Sequence, residues 1–128
     1  MRKIIFMVLG AIMLGLIFTF SSCDAPTSSK QSALIVNWVN KLIPVNSFFI
    51  RKCAHFSLYL VLEVIIYFIC AFINLKYPGL ISLLFVSIYA ISDEIHQYFV
   101  PGRSCEIRDM LIDISGAIVA LIIIKLWR

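Results

Sequence analysis

This sequence has few charged residues and lacks a soluble linker. Only 14% of the 128 residues are charged, whereas 62% are hydrophobic. A soluble domain carries about a quarter charged residues. The chain also shows no internal repeat, no low-complexity tract and no soluble linker. These absences argue against a soluble or multi-domain protein, and we predict a single membrane domain over residues 1–128.

Familiar metal and redox motifs are missing as well. The cysteines Cys23, Cys53, Cys70 and Cys105 show no C-x-x-C spacing, so the sequence does not support a zinc or thioredoxin-like site. HExxH is absent, and DEIHQ at residues 93–97 has no standard spacing of metal ligands. We therefore predict no metal site, and no cofactor is indicated. A disulfide among Cys23, Cys53 and Cys105 stays open.

The hydrophobic residues form four long blocks. A membrane-spanning helix needs about 20 mostly apolar residues. The blocks approach this length over residues 4–20, 53–73, 79–97 and 109–127. The second and fourth require that Glu63 and Asp113 face protein rather than lipid, and the third requires that its helix continue through the polar residues 93–97. The sequence thus predicts an all-α polytopic membrane protein, a bundle of four transmembrane helices.

The first block has a second interpretation. MRK followed by an apolar run resembles a signal peptide, and Phe20-Ser21-Ser22-Cys23 resembles a lipoprotein cleavage site. The run is long for a signal, however, and the bulky Phe20 stands where a small aliphatic residue is usual. We therefore favour an uncleaved first transmembrane helix.

The polar segment between the first two blocks contains an amphipathic pattern. Leu34, Trp38 and Leu42 recur at helical spacing, and Pro44 ends the run. This pattern predicts a short amphipathic helix. The helix either lies in the membrane interface, with Trp38 among the headgroups, or packs on the bundle as a lid.

The net charge of +4 does not indicate a nucleic-acid partner, because the basic residues lie at helix ends, where they reach lipid headgroups. Four spans place both termini on one side of the membrane. Five basic residues lie on that side, namely Arg2, Lys3, Lys76, Lys125 and Arg128. Six lie on the other side, namely Lys30, Lys41, Arg51, Lys52, Arg103 and Arg108. With counts this similar, the positive-inside rule does not decide which side of the membrane holds the termini. The basic MRK start favours cytoplasmic termini.

Ionisable residues interrupt the apolar blocks on three of the predicted helices. Arg51, His55, Tyr59 and Glu63 are four residues apart, so they form one stripe along the second span. The other members of the set are Asp93, Glu94, His96 and Gln97 on the third span and Asp109 and Asp113 on the fourth. Charged groups are costly in lipid, so these stripes should face the bundle interior.

The link between the last two spans has recognisable local signals. Pro101-Gly102 predicts a turn, and Ser104 is a candidate N-cap for the fourth span. Gly116 and Ala120 form a small-residue groove that favours close approach of another helix. The turn also directs Arg103 back toward Asp93 and Asp109, one of which we expect to hold it.

Three kinds of function fit this polar set. In the first, His55 or His96 acts as a base that activates water against a lipid-linked substrate. The candidate catalytic residues are His55, Asp93, Glu94, His96, Asp109 and Asp113. The candidate ligand-binding residues are Arg51, Lys52, Tyr59, Gln97 and Arg103. In the second the site only binds a headgroup or peptide, and in the third the residues merely lock the helices together; we favour a functional pocket.

Four motifs together resemble the VanZ-like family of bacterial membrane proteins. They are FSS at the end of the first span, RKCAHFSLY in the second, SDEIHQYFVPGRS in the third and RDMLIDISGA in the fourth. The resemblance covers nearly the whole chain. It implies a multi-pass protein of the bacterial cell membrane with four helices, and it brings no established reaction or cofactor.

The founding member of that family is associated with resistance to the glycopeptide teicoplanin. From the polar residues and the predicted topology we expect an outward-facing pocket that binds or modifies a membrane lipid or a lipid-linked cell-wall intermediate. Such a protein would influence glycopeptide susceptibility. The alternative is a non-catalytic membrane protein whose polar cluster only locks the bundle, and the sequence does not specify an oligomeric state.

Overall fold

Residues 1–127 fold into five α-helices in a computed structural model, and this described part of the chain contains no strand. The helices are α1 (Arg2–Ser22), α2 (Ala25–Val39), α3 (Ser47–Phe72), α4 (Pro78–Tyr98) and α5 (Ile107–Trp127). Four of them, α1, α3, α4 and α5, are long and apolar enough to cross a membrane. The predicted all-α fold class with four such helices is confirmed. Arg128, counted above among the basic flanks, lies outside the described residues.

The helix bounds differ from the apolar blocks chiefly where a capping group extends a helix. α3 begins at Ser47, well before the apolar run that starts at residue 53, because the Asn46 side chain accepts a hydrogen bond from the Phe49 amide at 2.8 Å. α5 begins at Ile107, so Ser104 does not occupy its N-cap position. The Ser104 hydroxyl instead donates a hydrogen bond to the Glu106 carboxylate. Hydrophobicity therefore predicts which segment spans the membrane, whereas capping hydrogen bonds determine where the helix begins.

The amphipathic helix α2 is shorter than its apolar pattern. Asp24 caps its start by accepting from the Thr27 amide at 3.1 Å, and the helix ends at Val39, before Leu42. Its buried face consists of Ser28, Ser32 and Val36, and α2 packs against α3. Leu34 and Trp38 point away from the bundle and are 71% and 77% exposed. The helix therefore covers α3 with small residues and leaves its large apolar side chains outward.

α3 is the centre of the bundle and contacts all four other helices. Its closest partner is α5, because Gly116 lies directly against the α3 backbone at Phe56 and Leu60. Ala117 and Ala120 beside it are fully buried. The predicted small-residue groove is thus present, and it brings the polar stripes of α3 and α5 together.

The chain direction places the polar residues at one end of the bundle. The C-terminal ends of α1 and α4 and the N-terminal ends of α3 and α5 meet there, at the end opposite to the N-terminus of α1 and the C-terminal end of α5. The α4–α5 turn at Gly102 adopts a positive φ of 76° and packs against Ala25 at the start of α2. All five helices therefore contribute to this end.

Candidate functional site

Two carboxylates and an imidazole meet inside the bundle, and we call them the His-Asp-Asp cluster: His55 on α3, Asp93 on α4 and Asp113 on α5. One ligand atom from each lies within 4.8 Å of the others. His55 Nδ1 is 3.4 Å from Asp113 Oδ1. Asp113 is 0% exposed and Asp93 is 4% exposed. Three helices therefore direct ionisable groups to one buried point.

Asp93 is held in place by neutral hydrogen-bond donors. The Ser21 hydroxyl of α1 donates to its Oδ2 at 2.7 Å, and the Gln97 amide donates to the same oxygen at 3.2 Å. Ser21 is itself buried, so this bond ties the end of α1 to α4 away from solvent. Side chains of α1 and α4 thus orient the Asp93 carboxylate, and because both donors are neutral they leave its charge uncompensated.

A small cavity, which we call the basic cavity, opens beside the cluster toward the end of the bundle. Its volume is about 100 Å³. Its polar walls are formed by Arg51, Lys52, His55, Gln97, Arg103, Ser104, Glu106 and Asp109. The Lys52 ammonium pairs with the Asp109 carboxylate, which neutralises that wall. The remaining charged groups are the guanidinium groups of Arg51 and Arg103 and the single carboxylate of Glu106, so positive charge exceeds negative charge in the cavity.

Arg103 is half-buried and is held by a neutral group. Its Nη1 donates to the Gln97 carbonyl oxygen at 2.8 Å. Its Nε–H has no hydrogen-bond partner among the described residues. Burial lowers the Arg103 pKa from its usual value, and the positive charge of Arg51 lowers it further. The expectation that Asp93 or Asp109 holds Arg103 is therefore wrong, because Asp109 is engaged by Lys52 and Gln97 lies between Arg103 and Asp93.

A larger apolar groove lies between α2 and α3, next to the basic cavity. Its volume is about 230 Å³. The apolar walls come from Phe20, Ile35, Ile50, Ala54 and Leu58, and Ser28, Gln31 and Ser32 of α2 close the other side. Arg51, His55 and Arg103 line both the groove and the basic cavity. The cationic cavity and the apolar groove are therefore adjacent, with these three residues between them.

Comparison with known proteins agrees with this architecture. A sequence model described as VanZ/LLP1 matches residues 6–128. The chain belongs to the VanZ/LLP1 family. No curated protein and no solved structure matches it. The four apolar helices agree with what the resemblance implied from the sequence, and the chemistry of the polar end is argued from its geometry.

This VanZ/LLP1 member brings most of the predicted site residues together. Arg51, Lys52, His55, Gln97, Arg103 and Asp109 line the basic cavity, and Asp93 and Asp113 lie in the cluster beneath it. Tyr59 is completely buried one turn along α3 from His55, and its hydroxyl lacks a hydrogen-bond partner within residues 1–127. The stripe on α3 was thus predicted correctly as one face.

Two predicted residues are placed elsewhere. Glu94 is buried and accepts a hydrogen bond from the Glu106 backbone amide at 3.1 Å, so it caps the start of α5. His96 faces α1, where its Nε2 lies 3.0 Å from the Ser22 hydroxyl oxygen. Its ring stacks on the ring of Phe18, with the two ring centroids 4.8 Å apart. Among the described residues it lines neither the basic cavity nor the groove.

Sequence reasoning missed Ser21 and the serine face of α2. The signal for Ser21 was present, because the FSS motif at the end of α1 is one of the four that carry the family resemblance. Its partner could not be read from the sequence, since Asp93 lies on another helix. All four cysteines are free thiols, so no disulfide links the helix ends.

Proposed function

We propose that this protein binds a phosphate-bearing lipid, either a membrane phospholipid or a lipid-linked cell-wall intermediate. In this arrangement the phosphate lies in the basic cavity and the hydrocarbon chain lies in the apolar groove. The observation that carries the proposal is the sharing of Arg51, His55 and Arg103 by the two spaces. A single amphiphilic molecule fills both.

The charges favour an anion in the basic cavity. Arg51 and Arg103 are close enough to repel each other, and Arg51 has no ion-pair partner among the described residues. Arg103 keeps a buried Nε–H without an acceptor. Guanidinium groups bind phosphate through paired hydrogen bonds, and such bonds are stronger than those between neutral groups. A phosphate would satisfy the free donor and reduce the repulsion.

The groove favours an amphiphile over a free anion. Its walls are mainly aliphatic and aromatic, and burying a hydrocarbon chain there contributes about 0.8 kcal/mol per CH₂. A soluble phosphate would gain nothing from these walls. We therefore propose binding as the primary activity; a hydrolytic step would additionally need His55 to activate water beside Asp113, as the 3.4 Å contact allows.

A structural role is the second candidate, and specific contacts favour it. The Lys52–Asp109 pair joins α3 to α5, and the Ser21–Asp93 bond joins α1 to α4. In that case the polar residues lock the helices and no lipid is bound. The two candidates differ at Arg51, which belongs to the cavity and to neither lock.

Lipid binding is tested by native mass spectrometry of the purified protein with added phosphatidylglycerol, polyprenyl phosphate or phosphatidylcholine. Arg51→Gln and Arg103→Gln should each remove a charge-assisted hydrogen bond worth about 1.5–3 kcal/mol. The affinity for the preferred lipid should then fall roughly 10- to 150-fold. Comparing the three lipids distinguishes a phospholipid from a polyprenyl ligand.

Lys30→Gln is the matched control, because Lys30 is an exposed cation on α2 that lines neither space in the described chain. It should bind lipid as the unmodified protein does. Equal binding by the Lys30, Arg51 and Arg103 variants would show that the arginines do not hold a phosphate, and the structural role would then stand.

We also propose that both termini are cytoplasmic, so that the basic cavity faces the outside of a bacterial cell membrane. In a cysteine-free background, an impermeant thiol reagent added to intact cells should label Ser104→Cys and not Lys76→Cys. Both residues are exposed and lie at opposite ends of the bundle. Labelling of position 76 alone would place the cavity in the cytoplasm.

An outward cavity would let the protein act on the lipids that glycopeptides meet at the cell surface. We therefore propose an influence on teicoplanin susceptibility. This effect rests on lipid binding, so Arg51→Gln and Arg103→Gln should reduce it together with lipid retention, provided that both variants accumulate in the membrane.

A further inference from the structure

We propose that the His-Asp-Asp cluster binds one divalent transition-metal ion, of the Zn²⁺ or Mn²⁺ class. The ligands would be His55, Asp93 and Asp113, one from each of α3, α4 and α5. Their ligand atoms lie within 4.8 Å of one another. This inference goes beyond lipid binding, and it differs from the prediction made from the sequence, which found no metal-ligand spacing.

The first argument is the set of unsatisfied polar atoms around the cluster. Both carboxylate oxygens of Asp113, Nδ1 of His55 and the hydroxyl of Tyr59 make no hydrogen bond in the described chain, although His55 Nδ1 and Asp113 Oδ1 lie 3.4 Å apart as an ion-pair contact. Asp113 and Tyr59 are both 0% exposed. Buried polar groups in native proteins are almost always satisfied, so the concentration of four such atoms on facing sides of α3 and α5 favours a bound ligand at this point.

The second argument is charge. Asp93 and Asp113 are buried carboxylates, and no lysine or arginine among the described residues forms an ion pair with either of them. Lys52 pairs with Asp109, and Arg103 binds Gln97. A buried charge is tolerated when it is paired or coordinates a metal. One divalent cation would neutralise both carboxylates, whereas the His55 imidazole supplies at most a single positive charge.

The third argument is ligand chemistry. Imidazole nitrogen suits transition metals, and carboxylate oxygen suits both these ions and harder ones, so the mixed set favours Zn²⁺ or Mn²⁺. Bonds of about 2.0–2.2 Å place neighbouring ligand atoms roughly 3–3.5 Å apart. The His55–Asp113 distance of 3.4 Å already matches this spacing.

Ser21 and Gln97 complete the arrangement as positioning residues. Both donate to Oδ2 of Asp93, which fixes the orientation of the carboxylate. Groups that orient a metal ligand in this way affect metal affinity although they do not contact the ion. The positions of Ser21 and Asp93 therefore link the end of α1 to the proposed site.

The test is the metal content and thermal stability of the detergent-purified full chain, prepared with a tag that contains no histidine. Elemental analysis should find about one equivalent of a divalent transition metal per chain. After chelation the melting temperature should fall, and added Zn²⁺ or Mn²⁺ should restore it in a concentration-dependent way. Absence of bound metal together with no shift on adding either ion would overturn the proposal.

Variants locate the ion. Asp113→Asn should lose the metal and its thermal effect, and Ser21→Ala should weaken affinity about 10- to 100-fold. Glu63→Gln is the matched control, because Glu63 is a fully buried acid on α3 that binds Ser82 at 2.5 Å and is not part of the cluster. It should keep the metal. Equal metal in the Asp113 and Glu63 variants would place the ion elsewhere.

Lipid binding and metal binding can fail separately. Arg51→Gln should bind the lipid more weakly and keep the metal, because Arg51 lines the basic cavity and supplies no metal ligand. The measurements on the unmodified chain decide the metal proposal even if Asp113→Asn does not accumulate. A protein that binds lipid without metal would retain the function proposed above and lose only this inference.

Discussion

Gly116→Ala is expected to separate α3 from α5 and to destabilise the bundle markedly. A Cβ at this position would overlap the backbone carbonyl oxygen of Phe56 and lie 3.3 Å from the Leu60 nitrogen. Both atoms belong to the α3 backbone, so no side-chain rotation can relieve the overlap. Overpacking costs about 1–3 kcal/mol, and this backbone clash should reach the upper end of that range. The measurement is the melting temperature of the purified variant in detergent.

Gly15→Ala provides the control within the same protein. An added Cβ at Gly15 meets nothing within 4 Å, and Gly15 is an exposed residue inside α1. Alanine is favoured over glycine in a helix by about 0.8–1.0 kcal/mol, so this variant should be as stable as the unmodified chain or slightly more stable. If both variants melt alike, the close α3–α5 contact is not what holds the bundle.

The apolar spans were predictable from the sequence, because hydrophobic content determines which segments can cross a membrane. The exact ends of the helices were harder to predict. α3 extends back to Ser47 through the Asn46 cap, a local hydrogen bond that hydropathy does not record. α2 stops at Val39 although Leu42 continues the apolar pattern, and the chain turns there before Pro44.

The candidate site was predictable along each helix and not between helices. The i, i+4 spacing placed Arg51, His55 and Tyr59 on one face of α3, and the structure has them there. Contacts between helices depend on how each helix rotates about its axis, which one sequence does not reveal. Arg103 therefore bonds to Gln97 rather than to an acid, and His96 faces α1.

The same limit explains why the metal-ligand set was not predicted. His55, Asp93 and Asp113 lie on three helices, so their separations along the chain follow no short motif. Motif rules detect ligands on one helix or in one loop. Only the packing of α5 on α3 through Gly116, and of α4 beside them, brings the three side chains to one point.

Glu94→Ala is expected to destabilise the protein by removing a cap that connects α4 to α5. The Glu94 carboxylate accepts from the Glu106 amide at 3.1 Å, and that amide belongs to the turn that opens α5. Leaving a partly buried backbone N–H without an acceptor costs about 1–3 kcal/mol. The melting temperature in detergent should fall accordingly.

Glu94→Gln separates this structural role from the catalytic role that the sequence suggested for Glu94. The glutamine side-chain oxygen can still accept from the Glu106 amide, so stability should be retained. Glutamine also removes a carboxylate from a region shared with Asp109 and Asp113, which lowers like-charge repulsion. Glu106→Gln, at an exposed position, should change the free energy of unfolding by less than about 0.5 kcal/mol.

Lipid retention and the cellular phenotype give the decisive readout for these variants. If Glu94 only caps α5, Glu94→Gln should keep the stability of the protein together with the proposed lipid binding and the proposed effect on teicoplanin susceptibility. A stable Glu94→Gln protein that binds lipid but loses the phenotype would contradict the capping role, because glutamine accepts hydrogen bonds yet cannot transfer a proton as a carboxylic acid does. Glu94 would then be a catalytic residue, and the protein would modify its lipid rather than only bind it.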